Sequence, residues 1–176
     1  LRGVVNQELN NHTQAAEDFS TVLKYSPEKL DTYPLRALAY HHSNRYEQAM
    51  EDMNYYLSFF PEDDESWYKY GIIHNENGKF FDALKCLNKA LALNQGVSDY
   101  YLHRGKVYFQ TNTLKYARND FSMALDLDPD NAEAYFFKGK VALKMGFKNE
   151  ACFCFDQAYK LGIFEAGDLH EQHCKE

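Results

Sequence analysis

The residues best equipped for chemistry sit near the end of the chain, where His170, His173 and Cys174 share one short stretch. Two histidines three apart face one side of a helix, and the adjacent thiol adds a donor suited to zinc. A zinc site needs four convergent ligands, and no second donor cluster accompanies these three. No metal is therefore expected, and the stretch reads as a solvated tail. His41 and His42 fall near the end of a helical segment and read as surface or groove lining. Asp63 with Asp64, and Asp128 with Asp130, lie in turns where a following helix N-terminus favours negative charge. The same reading covers Asp31, Glu65, Asp99 and Glu133, each at a helix start. No Gly-rich phosphate loop, G-x-S-x-G or H-E-x-x-H occurs. The expectation is a protein that is not an enzyme and carries no cofactor.

The cysteines are Cys86, Cys152, Cys154 and Cys174. Their spacing matches neither a disulfide framework nor a zinc site, and Cys152 and Cys154 would point to different faces of one helix. All four are expected to be free thiols, which fits a reducing, cytoplasmic setting. A net charge of −7 argues against nucleic acid as partner, since phosphate neutralisation needs clustered Lys and Arg. No run of about 18 apolar residues is present, so no membrane span is expected.

The elements that must position these side chains recur. Shifting residues 100–129 by 34 maps the chain onto itself. One column holds Ala15, Ala49, Ala83, Ala117 and Ala151, and a second holds Gly3, Ala37, Gly71, Gly105 and Gly139. A third holds Asn10, Asn44, Gly78, Asn112 and Gly146, the residue types that most readily enter a left-handed turn at a helix end. Phe19, Met53, Leu87, Phe121 and Phe155 form a large apolar column, and Pro27, Pro61 and Pro129 close three of the units. Within each unit apolar residues recur at three- and four-residue steps, so each reads as helix, tight turn, helix, stop. The small residues mark close helix approaches, and the large ones are expected to fill the space between units. With four Pro and nine Gly in all, a turn-rich β protein is disfavoured. A single unit cannot bury its own apolar face and must stack on neighbours.

Inside the repeat a charge pairing recurs at a separation of 16. Where the residue before the small column is Arg (Arg2, Arg36, Arg104), the residue before the large column is Asp (Asp18, Asp52, Asp120). Where it is Tyr70 or Lys138, the partner is Cys86 or Cys154. Arg36 with Asp52 and Arg104 with Asp120 are thus expected to brace facing helices, since the guanidinium fork holds a carboxylate by two bonds.

These columns resemble the tetratricopeptide repeat family. Tyr101, Gly105, Tyr108, Ala117, Phe121 and Pro129 follow its pattern, and Trp67, Gly71, Ala83 and Ala90 follow it in the third unit. The likeness covers about residues 1–161, with His74 and Ala142 in place of Tyr, Met53 and Leu87 in place of Phe, and Asn6 where an aromatic is expected. The resemblance implies an all-α, right-handed superhelical solenoid of antiparallel helix pairs. Its five units would occupy residues 1–163 (1–29 partial, then 30–63, 64–97, 98–131 and 132–163), with 164–176 a capping helix or the start of a sixth unit. By phase His173 would stand in the small column of that sixth unit. The truncated first unit suggests that residues precede Leu1, so an export signal stays open.

The resemblance also implies a concave groove lined by the first helices. Carried over by position, its lining includes Leu38, His41, Tyr68, Ile72, Asn75, Leu102, Lys106, Phe109, Phe136, Lys140 and Lys144. Tyr68, Ile72, Leu102, Phe109 and Phe136 would be costly to leave in water, so a partner segment or the chain's own packing should cover them. A peptide or protein with apolar anchors and an acidic group for the lysines fits this lining. Family members that grip chaperone tails use Asn and Lys where this chain has Val4, Leu38 and Ile72, and Tyr68, Leu102 and Phe136, so that mode is not expected. The expected role is a protein-interaction scaffold. The alternatives are the repeat region of a larger enzyme or sensor, and a self-associating structural repeat.

Overall fold

The computed structural model describes residues 2–174; Leu1, where the partial first unit begins, and the last two residues of the tail lie outside the described residues. Among the described residues there are eleven α-helices and no strand. The chain divides into two compact units, Leu1–Leu93 and Asn94–Glu176. The first holds α1 (Arg2–Glu8), α2 (His12–Tyr25), α3 (Thr32–His42), α4 (Tyr46–Phe59), α5 (Asp64–Glu76) and α6 (Phe80–Leu93). The second holds α7 (Ser98–Gln110), α8 (Leu114–Leu127), α9 (Ala132–Lys144), α10 (Lys148–Lys160) and α11 (Phe164–Cys174). Helices pack in consecutive pairs, α1 on α2 through α9 on α10, and α10 also packs against α11.

Each second helix buries one stripe. In α8 the buried residues are Ala117, Asp120, Phe121, Ala124 and Leu125, and in α6 they are Ala83, Cys86, Leu87, Ala90 and Leu91, both at helical three- and four-residue steps. The turn inside each pair is short because its central residue is left-handed. Asn10, Asn44 and Asn112 have φ of 59°, 58° and 56°, and Gly78 and Gly146 have 70° and 82°. Two backbone bonds close each such turn. In the fourth pair the Asn112 N–H donates to the Phe109 carbonyl at 3.1 Å and the Thr113 N–H to that of Tyr108 at 2.7 Å.

The large column packs inside its own pair, and Phe121 also reaches the next pair, stacked on the Phe137 ring of α9 at 5.8 Å. A Cβ built on Gly105 would lie 2.7 Å from the Phe121 ring, and one on Gly139 would lie 2.6 Å from the Phe155 ring. The missing side chain is what lets each ring lie flat against the facing helix, at no exposure for either Phe.

The terminal helix departs from the 34-residue phase. Only residues 161–163 separate α10 from α11, as in a turn inside a pair. Gly162 has φ of 101°, its N–H donates to the Tyr159 carbonyl at 3.0 Å, and the Ile163 N–H donates to that of Ala158 at 2.9 Å. Helix α11 therefore folds back on α10 as a second helix would, and does not begin a sixth unit in phase. His173 has no small-column role there, and the close approach of the two helices is at Gly167, whose Cβ site lies 2.8 Å from the Tyr159 ring.

That fold-back corrects the cysteine expectation. Because α10 and α11 run antiparallel, Cys152 and Cys174 come to a Cα–Cα distance of 5.7 Å and form a disulfide across 22 residues of sequence. Cys86 and Cys154 are free and buried, and burial pushes their thiols up to about 12 and about 11. They pack as small apolar residues.

Candidate peptide-binding faces

Each braced pair holds its first helix in register with its second. Arg36 donates from Nε and Nη2 to the two carboxylate oxygens of Asp52, both at 2.7 Å, and from Nη1 to the Ser20 hydroxyl at 3.3 Å. Arg104 donates to Asp120 in the same two-bond geometry at 2.8 Å. Arg2 pairs with Asp18, which also accepts from Asn6 at 2.9 Å. The Arg2 and Asn6 bonds hold the Asp18 carboxyl below its usual range, against its burial. Burial dominates at Asp52 and pushes its carboxyl up despite Arg36. In the other two pairs, Cys86 and Cys154 pack in place of a carboxylate.

Entry into α5 is fixed by Asp63. Its carboxylate accepts from the Ser66 N–H at 3.1 Å, the Ser66 hydroxyl at 2.8 Å and the Tyr56 hydroxyl at 2.9 Å. Burial alone would push this carboxyl up, but the three donors hold it below the usual range. Asn131 caps α9 likewise, accepting from the Ala134 N–H at 2.9 Å. These caps set where the candidate residues of α5 and α9 fall.

In the first unit, Leu38 and His41 lie on α3, and Tyr68, Ile72 and Asn75 lie on α5. Leu38, Tyr68, Ile72 and Asn75 are partly exposed, whereas His41 is buried. Its Nε2 lies 3.0 Å from a Glu76 carboxylate oxygen, and its ring stands 4.9 Å from that of His42, which in turn is 4.6 Å from that of His12. Burial lowers the His41 imidazole pKa, and Glu76 opposes that. His41 is thus packing beneath this face and not an open contact point.

In the second unit, Leu102, Lys106 and Phe109 lie on α7, and Phe136, Lys140 and Lys144 lie on α9. Leu102 is 3% exposed and Phe136 is 7% exposed, so both are core and neither awaits an external cover. Phe136 belongs to one core cluster with Phe155, Ala158 and Ala166, the last from α11. Phe109 and the three lysines remain accessible.

These lysines lie on ring faces. Lys144 Nζ is 4.4 Å from the Phe109 ring centre, and Lys140 Nζ is 4.7 Å from that of Phe136 and 5.7 Å from that of Phe137. Lys106 Nζ is 5.4 Å from the Phe137 ring and 2.7 Å from a Glu133 carboxylate oxygen. Lys140 Nζ is 3.8 Å from Glu165 of α11. Ammonium groups are attracted to the negative ring face, so the rings hold positive charge over an apolar floor. Phe137 is the centre of this floor, edge-on to Phe109 and stacked on Phe121, each at 5.8 Å. The sequence reading omitted it. Its column, two before the small residue, also holds Leu35, Lys69 and His103, and that column was not among those carried over as lining.

His103 beside this face gives a pH dependence. Burial, helped by Lys106 and opposed by Glu133, pushes its imidazole down to about 4. Between that value and the ordinary 6.5 the unfolded chain binds a proton that the folded chain does not, so stability falls as pH falls. The expected loss from this group approaches about 3 kcal/mol by pH 4. Urea titrations from pH 7 to pH 4 should show it, and His103→Leu should flatten that part of the profile.

The metal candidate does not assemble. Cys174 is in the disulfide, and among the described residues no group of three or more His, Cys, Asp or Glu side chains could hold a metal ion. Among the described residues no helix is long and apolar enough to cross a membrane.

Comparison with known proteins agrees with the helix pairs. Tetratricopeptide repeat family models match residues 2–64 and, in a second model, 64–96 and 132–161. A model described as a TPR repeat matches residues 105–146. No curated protein matches. Among solved structures, the crystal structure of MamA is 21% identical, covers 94% of this chain and 96% of its own, and superposes with a TM-score of 0.81. A MamA structure from Desulfovibrio magneticus RS-1, residue 41 to the end, is 16% identical with 90% of both chains covered and a TM-score of 0.81. YrrB, described as a TPR protein with an unusual peptide-binding site, is 19% identical, covers 97% of this chain and 88% of its own, and gives a TM-score of 0.75.

Proposed function

The chain belongs to the tetratricopeptide repeat family, and from that premise we propose that it is a protein-interaction scaffold whose first-helix faces bind a peptide or protein segment. The observation that carries this reading is the second unit's face, where Lys106, Lys140 and Lys144 stand on an apolar floor of phenylalanine rings. A segment with an apolar anchor and carboxylates fits it. Glu133 and Glu165, which sit against two of the lysines, are 46% and 65% exposed and are free to give way to a partner's carboxylates. That YrrB has a peptide-binding site supports the general mode.

The role is one of binding and not catalysis. The free thiols are held un-ionised by burial, and the buried histidines His41 and His74 serve as packing. A polypeptide partner is favoured over nucleic acid by the net charge of −7 and by the small number of lysines on the face. The cytoplasmic placement rested on four free thiols, and two of them are paired. It stands as a proposal in which that bond is reversible, because persistent disulfides are rare in reducing compartments.

The test is fluorescence anisotropy with synthetic peptides that share an apolar anchor and differ in charge. Acidic peptides should bind more tightly than basic ones, with affinity falling as salt rises. Lys140→Glu should weaken the acidic peptide about tenfold, the scale of a lost charge-assisted contact, and leave helicity unchanged. Phe109→Glu or Ile72→Glu should abolish capture with helicity intact. Unchanged capture by both variants would place binding elsewhere on the molecule.

A further inference from the structure

Helix α11 lies on part of the same face, and its attachment differs from that of every other helix. It has 11 residues, fewer than an isolated helix needs to be stable in water. Ala166 is its only buried residue among those described, and Leu169, with Ile163 in the preceding turn, is partly buried. Phe164 at its start is 77% exposed. Beyond these, Tyr159 of α10 packs on Gly167 and lies edge-on to Phe164 at 6.3 Å, so α11 buries little apolar surface of its own. One end is tied by the turn at Gly162, and the other by the Cys152–Cys174 bond. Between those ties Glu165 faces Lys140, and Ala166 packs in one cluster with Phe136, Phe155 and Ala158.

Resting on the peptide-binding reading above, we propose that α11 is an exchangeable occupant of a site on α9 and α10, latched by the disulfide, and that reduction opens this site to a partner helix. The partner's chemistry is set by what it must replace. It carries a carboxylate to meet Lys140, a small residue next to it for the place of Ala166, and an apolar residue three further on for the place of Leu169. That is an amphipathic helix presented to an apolar groove. While the latch is closed, α11 competes from the same chain at high effective concentration, and an external helix is excluded.

The redox step is a two-electron exchange with a dithiol reductant. A reductant thiolate attacks one sulfur, the Cys152–Cys174 bond breaks, and a disulfide closes on the reductant. Cys152 and Cys174 each end as a thiol with a proton. Cys86 and Cys154 do not compete, because both are buried with thiols pushed up to about 12 and about 11.

Two measurements on the full chain test this. The first is hydrogen exchange with and without dithiothreitol, and in Cys152→Ser. Amides of α11 should exchange at least tenfold faster on reduction and in the variant, while those of α8 keep their protection. Unchanged protection of α11 overturns the latch. The second uses a fluorescent peptide of residues 164–174 carrying Cys174→Ser. It should bind the reduced chain at least tenfold more tightly than the oxidised chain, and Lys140→Ala should weaken that binding. Equal binding in both redox states overturns the exchangeable site. The exchange measurement needs no ligand, so failure of the acidic-peptide titrations would leave it standing, and its own failure would leave them standing.

Discussion

Arg104→Met is expected to lower the stability of the second unit by about 3–5 kcal/mol, the cost of leaving a buried carboxylate without its partner. The Asp120 side chain is 3% exposed, and Arg104 supplies two bonds to it at 2.8 Å. Removing Arg104 strands the charge in apolar surroundings, because Phe121 and Ala117 on the same helix are both fully buried. The loss is a penalty on the residue left behind and not a measure of what the pair contributes. The double variant Arg104→Met with Asp120→Leu should therefore recover most of the stability, since a well-packed apolar pair often equals a buried ion pair. Urea unfolding of both variants checks this. A double variant as unstable as the single one would show that the brace itself, and not the stranded charge, sets the cost. The same exchange at Arg2, which is 77% exposed, should cost less because water reaches the guanidinium.

Gly139→Val should destabilise by about 2–3 kcal/mol through overpacking, more than its gain in helix propensity of under 1 kcal/mol returns. The added Cβ would fall 2.6 and 2.7 Å from two Phe155 ring carbons and 3.3 Å from the Cys154 Cβ. Phe155 has no exposure, so its ring can move only by displacing its neighbours. Gly139→Val with Phe155→Ala should regain part of the loss, because the smaller residue vacates the volume that the new side chain takes. Thermal melts would follow both. A Gly139→Val chain that melts with the wild type would mean that α9 and α10 separate more easily than their contact implies.

Both effects concern residues whose roles were legible before any coordinates. The alternation of Arg with Asp and of Tyr or Lys with Cys is visible because both members of each pair recur with the same period, and the pairing is local. The left-handed Asn and Gly residues were legible for the same reason. What periodicity cannot carry is anything that breaks it. Extrapolating the phase placed His173 in the small column, whereas the turn at Gly162 shortens the connection and puts the close helix approach at Gly167. The sequence Leu161, Gly162, Ile163 has the form of Thr111, Asn112, Thr113, and that likeness was the available signal. The disulfide was hidden by the same break, because its spacing of 22 acquires meaning only once α11 is known to fold back on α10.

The candidate face was legible in part. Lys106, Phe109, Lys140 and Lys144 are accessible where the family pattern puts them. Leu102, Phe136 and His41 occupy groove positions by count but are buried, because side-chain direction and neighbour size decide exposure and column number does not. Phe137 escaped notice since no other unit has a Phe, Tyr or Trp in its column, yet three contacts of the face converge on its ring.

The braces join residues 16 apart in every case, and the disulfide joins residues 22 apart. Contacts so near in sequence mean low contact order and rapid folding, since little loop entropy is lost before each contact forms. A helix pair is complete as soon as about 30 residues have left the ribosome, and each finished pair offers a surface on which the next condenses. Either unit is therefore suited to folding during its own synthesis, with little time for its phenylalanines to meet another chain.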